Sequence, residues 1–330
     1  MFRYLNYLSL LLVGLVSSLL TVHAVSRLRH PRFLAPDAHK PYRVLVPKIG
    51  GACIVVACCM TVATALVLHI ADERLLMTLA ATALMGLVGL LDDVLGLRPL
   101  FRIGTSVILA SAVVALDYVS HIVFPLGYIH NMVMISALAF LSIVILTNAV
   151  NMLDIMNGIV SGSVLMMCAS LTIICLIEHK PNAALTYLVM TLACAPLFAY
   201  NKYPAKVFNG NVGSYALGAF LGVAAACYGT YVETVLAGLP YIINGMLILF
   251  STRGRVFFGG RERAKRPIFC YSGRLVPNLD PDAPLTLARL AVLAGCRDEK
   301  CVVESILKMF LVCALLTVVL ILAFTYLRLH

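Results

Sequence analysis

The sequence predicts an all-α integral membrane protein, one polytopic domain over residues 1–330, on three observations. Of its 330 residues 62% are apolar and only 12% charged, well under the roughly 25% charged residues of an ordinary soluble domain. Apolar runs of about 20 residues, enough for a helix to cross a hydrocarbon core, recur along the chain. Lys and Arg fall almost wholly into alternate connections between those runs.

Ten runs are read, near 5–25, 49–71, 75–91, 103–120, 131–149, 159–177, 182–200, 212–229, 232–250 and 305–327. The first lacks a small-residue cleavage site and is followed by the basic flank HAVSRLRH, so it reads as a retained span rather than a signal peptide. Odd-numbered connections hold 20 of the 25 Lys and Arg residues; Arg3, Arg74, Lys180 and Arg328 lie on the other side, and Lys308 starts the last run. This asymmetry predicts about ten spans, odd connections in the cytoplasm and both termini outside.

The ninth connection, about 251–304, is the longest. It carries the proline-punctuated PNLDPDAP, then a short amphipathic helix expected from Leu285. The net charge of +10 fits retention of these loops and attraction to anionic lipid headgroups. The basic residues are scattered over membrane loops, which argues against nucleic acid as a partner. Of the eleven cysteines, eight lie in apolar runs and act as small hydrophobes. Cys270, Cys296 and Cys301 fall in the ninth connection, expected to be reducing, and no pair has zinc-site spacing. Free structural cysteines are expected.

Four polar patches carry the chemistry. Asp92 and Asp93 end the third run, in GLVGLLDDVLGLRPLFR. Acids at a membrane edge are costly, and two adjacent carboxylates repel unless a cation or proton resolves the conflict. Taken alone, the pair divides evenly between a site and a solvated helix end. In TNAVNMLDIMNG, Asn148, Asn151, Asp154 and Asn157 recur every three residues, as neighbours along one side of a helix. Such a stripe is expected to face a protein cavity or a ligand, where amide and carboxylate oxygens suit a hard cation; interhelical hydrogen bonding is the less favoured alternative.

The third patch is NKYPAKVFNGNVGSYALG, where Asn211 and Ser214 stand at the start of the eighth run. Free N–H groups and a helix dipole there suit a phosphate, although an ordinary cap explains the patch taken alone. The fourth is RGRVFFGGRERAKRP, whose guanidinium forks match diphosphate oxygens and whose charge also serves cytoplasmic retention. All four patches lie on odd connections, three to nine. Together they suit phosphoryl transfer, which needs positioning and charge neutralisation more than a covalent nucleophile. A transporter is the rival from another class, but it would place its ionisable groups near the midplane.

At these residues the chain resembles the polyprenyl-phosphate N-acetylhexosamine-1-phosphate transferases, which include the bacterial MraY and WecA enzymes and the eukaryotic dolichyl-phosphate GlcNAc-1-phosphate transferase. LVPKIGG (45–51) is similar to an early P-x-x-GG segment. DDVLGLRPLFR is similar to D-D-x-x-x-L with a basic residue ten positions on, here Arg102. TNAVNMLDIMNG is similar to an N-A-x-N motif closing on N/D-G. NKYPAKVF and the R-x-R at Arg261 and Arg263 resemble the eukaryotic branch. The lack of histidine clusters, with PNLDPDAPLTLARL, points to an archaeal-type member.

The resemblance implies transfer of a sugar 1-phosphate, GlcNAc-1-phosphate by default, from a UDP-N-acetylhexosamine to polyprenyl or dolichyl phosphate. UMP would be released, with Mg²⁺ or Mn²⁺ required, at a cytoplasmic site in the plasma membrane. Asn151 would help hold the metal and Asn157 would contact the uracil. Phe208 would line the nucleoside pocket, and Asn148 would join the substrate-binding set. Arg102 and Arg261 would bind the diphosphate, and Arg263 the N-acetyl side. Asp92 and Asp93 would organise the lipid phosphate and metal region. A homodimer is an admissible assembly.

One departure stands out. The family's G-D-x-G metal aspartate is Asn211 here. Either Asp154 supplies the missing carboxylate, which is preferred, or metal affinity is lower, or the chain is a catalytically impaired or engineered member of the fold.

Overall fold

The computed structural model describes residues 2–37, 44–70, 72–120, 122–124, 127–129, 131–254 and 265–329. Its helices are α1 (Phe2–Ser26), α2 (Ala52–Val67), α3 (Glu73–Leu95), α4 (Pro99–Ala115), α5 (Met132–Leu153), α6 (Ile159–Ile177), α7 (Pro181–Asn201), α8 (Gly210–Tyr228), α9 (Tyr231–Ala237), α10 (Leu239–Ser251), α11 (Leu287–Leu293) and α12 (Glu299–Leu329). Each of the ten apolar runs is helical. Seven helices, α1, α3, α5, α6, α7, α8 and α12, are long and apolar enough to cross a membrane, or eight spans if α9 and α10 count as one. The apolar helices α2 and α4 are shorter, so ten full crossings do not follow from helix length.

The ninth run is not one straight span. It bends by 71° between α9 and α10. Gly238 stands at the break and Pro240 follows in the first turn of α10; a proline has no N–H with which to continue the preceding helix.

The fold is also not purely helical. Three short antiparallel pairs join β1 (Leu34–Pro36) to β2 (Leu45–Pro47), β3 (Ile122–Phe124) to β4 (Gly127–Ile129), and β5 (Ile268–Tyr271) to β6 (Arg274–Pro277). The last pair lies in the long ninth connection and turns through Ser272 and Gly273, both at positive φ, as a two-residue hairpin requires. After it, α11 is capped by the Thr286 hydroxyl, which accepts from the Arg289 amide at 3.0 Å. Cys296 and Cys301 are joined by a disulfide, against the expectation of free cysteines in this connection. Their Cα atoms are 5.5 Å apart, because the turn into α12 folds the chain back on itself.

The helix at the centre is α8, in which every residue from Val212 to Tyr228 is buried. It is also the least apolar of the seven long candidates. Such a helix needs protein rather than lipid around it, and its Gly- and Ala-rich surface lets neighbours approach closely. α3 packs on one side and α5 on another. At Gly89 of α3 any side chain would strike the Asn211 carbonyl of α8. This contact brings the end of α3 against the start of α8, and so sets the geometry of the site.

Candidate functional site

The two acids at the end of α3 have separate partners. Asp92 is 1% exposed and closes the link to α4. Its Oδ1 accepts the Leu97 amide at 2.7 Å, and its Oδ2 lies 3.1 Å from Arg102 Nε. Arg102 also donates to the Leu97 carbonyl at 3.2 Å.

Asp93 turns to α8 instead. Its Oδ1 accepts the Asn211 amide at 3.1 Å and its Oδ2 the Val212 amide at 3.0 Å. It therefore caps α8 from another helix, across 118 positions of sequence. The expected repulsion is relieved by a guanidinium for one acid and a helix N-terminus for the other. The same contacts correct the reading of the α8 start as a phosphate cradle, because Asp93 already occupies those two amides.

The segment before α2 locks this junction. Pro47 accepts the Phe208 amide at 2.8 Å, the Gly50 amide donates to Phe208 at 2.8 Å, and the Gly51 amide donates to Asn209 at 2.9 Å. Lys48 Nζ donates to the Asp93 carbonyl at 2.7 Å. Gly210, at φ 72°, has room for no side chain, since a Cβ there would meet the Lys48 carbonyl and Asp93 Oδ2.

The opposite wall is the turn between α5 and α6. The expected stripe of four polar residues on one helix is only half helical: α5 ends at Leu153, Asp154 is its C-cap with ψ 62°, and Asn157 sits in the turn. Asn148 donates to Ser106 of α4 at 3.0 Å and to the Val144 carbonyl at 2.8 Å. Asn151 Nδ2 donates to Asn211 Oδ1 at 3.0 Å and Ser214 Oγ at 2.8 Å. Asn209 Nδ2 donates to Asp154 Oδ2 at 2.9 Å. Asn157 Nδ2 donates to Asp37 Oδ2 at 3.1 Å.

Between the walls lies a cavity of about 280 Å³, lined by Asp37, Lys48, Asp93, Asp154, Asn157, Asn201, Phe208, Asn209 and Asn211 among others. Five of the site residues expected from sequence therefore meet there: Asp93, Asp154, Asn157, Phe208 and Asn211. Asp92, Arg102, Asn148 and Asn151 stand outside the lining, the last of them one hydrogen bond behind Asn211. Arg261 and Arg263 lie outside the described residues. Lys48, Asp37, Asn201 and Asn209 were not singled out from sequence. Asp37 and Lys48 carried a usable signal, as charges a few residues from an apolar run; the two asparagines carried little.

Burial pushes the Asp154 carboxyl up to about 7, against the hydrogen bond from Asn209 and with a further upward push from Asp93. Among the described residues no three His, Cys, Asp or Glu side chains cluster closely enough to form a metal site by themselves. A hard divalent cation would rest on mixed oxygens, the carboxylate of Asp154 with the amide oxygen of Asn211. Among the described residues Asp154 accepts through Oδ2 alone, from Asn209, so the donor set fits such an ion.

Residues 75–229, from the start of α3 to the end of α8, match the family model described as Glycosyl transferase family 4. A Saccharolobus solfataricus protein named as a UDP-N-acetylglucosamine–dolichyl-phosphate N-acetylglucosaminephosphotransferase is 27% identical over 271 residues, 78% of this chain and 82% of its own length. One of the same name from Sulfolobus acidocaldarius is 29% identical over 268 residues, 77% of this chain and 81% of that protein. A phospho-N-acetylmuramoyl-pentapeptide-transferase of Desulforamulus reducens is 29% identical over 280 residues, 75% of this chain and 81% of its own.

Over these stretches the chain is similar to proteins named as phosphosugar transferases. The matched segment holds both acids of α3, the α5–α6 turn and the start of α8. Asp37, Lys48 and the whole chain after Gly229 lie outside it. The resemblance read from the motifs thus agrees with relatives from both archaea and bacteria.

Proposed function

We propose that this phosphosugar transferase moves a sugar 1-phosphate, GlcNAc-1-phosphate by default, from a UDP-sugar to a polyprenyl or dolichyl phosphate. An oxygen of the lipid phosphate attacks the β-phosphorus. The bond from that phosphorus to the α–β bridging oxygen breaks, and UMP leaves. The observation that carries the reading is the meeting of Asp93, Asp154, Asn157, Phe208 and Asn211 with Lys48 around one cavity.

In this reading Phe208 and Asn157 receive the uracil, and Lys48 supplies the cationic wall beside the phosphates. Arg261 and Arg263 keep the diphosphate and N-acetyl roles that the resemblance implies. Arg102 acts through Asp92 rather than on the diphosphate, since the two are already paired. Asp93 orders the junction by capping α8. No side chain needs to remove a proton, because a phosphomonoester is largely dianionic near pH 7.

Bound Mg²⁺ would neutralise the charge on the diphosphate, with Asp154 and Asn211 as the residues that hold it. Asp154 replaces the carboxylate that Asn211 lacks. What supports this is their common place in the cavity lining and the unspent oxygen of Asp154. Asn151 then serves by orienting Asn211.

The same reading places ten spans in the plasma membrane, both termini outside and the cavity at the cytoplasmic face, on the strength of the Lys and Arg asymmetry. Purified protein incubated with radiolabelled UDP-GlcNAc, polyprenyl phosphate and Mg²⁺ should form labelled lipid diphosphate sugar and UMP. Label that stays wholly on the nucleotide, for GlcNAc and other N-acetylhexosamine donors alike, would sink the proposal.

A further inference from the structure

The α5–α6 turn carries two consecutive amides that its own backbone does not satisfy. The Gly158 amide donates to Asn201 Oδ1 of α7 at 3.1 Å, and Asn201 also accepts the Ser161 hydroxyl at 2.8 Å. The Asn157 amide donates to Glu299 Oε1 at 3.1 Å, across 142 positions of sequence. Glu299 is only 3% exposed and is the first residue of α12, beyond the segment that matches the family model. A buried carboxylate is costly unless it is hydrogen-bonded, so the bond it makes to this amide calls for an explanation.

The surroundings of Glu299 are fixed on both sides. Asp298 caps α12 by accepting the Cys301 amide at 2.9 Å, and the Cys296–Cys301 disulfide closes the chain around residues 297–300. The carboxylate is therefore presented to the turn by a preformed corner. Its partner Asn157 faces the cavity and is held at its other end by Asp37. A hydrogen bond to a carboxylate is among the stronger ones in a protein, enough to select one turn geometry among several.

We infer that Glu299 is a positioning residue for the nucleotide: its carboxylate sets the turn on which Asn157 meets the base. The inference rests on the reading of Asn157 as a uracil contact. Glu299 is not among the residues that line the cavity and acts on the nucleotide through the turn. Losing it should therefore weaken donor binding and leave the phosphoryl step nearly intact.

The test uses the full chain, with UMP as a binding probe in calorimetry and with donor KM and kcat measured separately. Glu299→Ala should weaken UMP binding and raise donor KM by about tenfold or more, with kcat changed by less than about threefold. Glu299→Gln keeps a carbonyl oxygen for the Asn157 amide and should recover most of the loss. In an Asn157→Ala background the effect of Glu299→Ala should shrink to about twofold or less, since residues that act through one another are not additive.

Unchanged UMP binding and KM in Glu299→Ala would overturn the inference alone, as would an undiminished loss in the Asn157→Ala background. Wild-type protein that binds no UMP would overturn the proposed function and this inference together. Should Glu299→Ala not fold, Glu299→Asp carries the test. The shortened carboxylate withdraws from the amide, so KM should rise, and an unchanged KM would overturn the role.

Discussion

The two walls of the cavity are built on different principles. On the α3–α8 side, Asp93 commits both carboxylate oxygens to the backbone of α8. On the α5–α6 side, the turn is held by side chains from α7 and α12, and among the described residues Asp154 commits one oxygen. The first wall is scaffold in which a charge is consumed by the fold. The second has its fold supplied from elsewhere, and in the proposed reading its Asp154 carboxylate serves a ligand. An acidic residue in a transferase cavity is thus not by itself a catalytic group; what its oxygens already accept decides its role.

The largest effect that tests this contrast is expected at Asp93. Asp93→Asn presents an NH₂ group to one of two backbone amides, so a buried donor loses its partner at a cost of about 1–3 kcal/mol. Transfer should fall by at least about a hundredfold, and the thermal midpoint of the purified protein should fall with it. Lost activity with an unchanged midpoint would make Asp93 chemical rather than architectural.

Asp154→Asn should come next. It should lower turnover by at least about tenfold and raise the Mg²⁺ concentration needed for half-maximal rate, with little change in midpoint. A variant with unaltered metal dependence would remove Asp154 from the metal shell.

A smaller effect is expected of Asn211→Asp. Asn151 Nδ2 can donate to a carboxylate as it does to the amide oxygen. If Asp154 already completes the shell, Mg²⁺ dependence should move by less than about threefold. A larger gain in metal affinity would return position 211 to the centre of the site.

Arg102→Lys should change least. It keeps the charge beside Asp92 but loses the fork that also reaches Leu97. The expected cost is about 1 kcal/mol of stability, with donor KM unchanged. A tenfold rise in that KM would restore Arg102 as a diphosphate ligand.

Much of this was legible in the sequence. Apolar runs gave the helices because in lipid a chain must satisfy its own backbone, which leaves the helix as the default span. Polar residues at the ends of runs gave five of the cavity residues, because such groups are too costly to leave without a task. The break at Gly238 escaped because a hydropathy window does not see a bend. The pairing of Asp92 with Arg102 escaped because a patch of charge does not show whether its members face a ligand or each other. Glu299 escaped for a plainer reason. It looks like an ordinary acidic first turn, and only the folded chain brings it to a turn 142 residues away.

The cap on α8 has a consequence in time as well as in space. The amides of Asn211 and Val212 are bonded to a side chain of α3, not to their own helix. They can meet solvent deuterium only when α3 and α8 part, and fraying of α8 alone does not release them. Helix N-terminal amides normally exchange early, whereas these two should exchange among the last, on the clock of the whole junction. Their exchange rate would therefore report how often the cavity loses its shape.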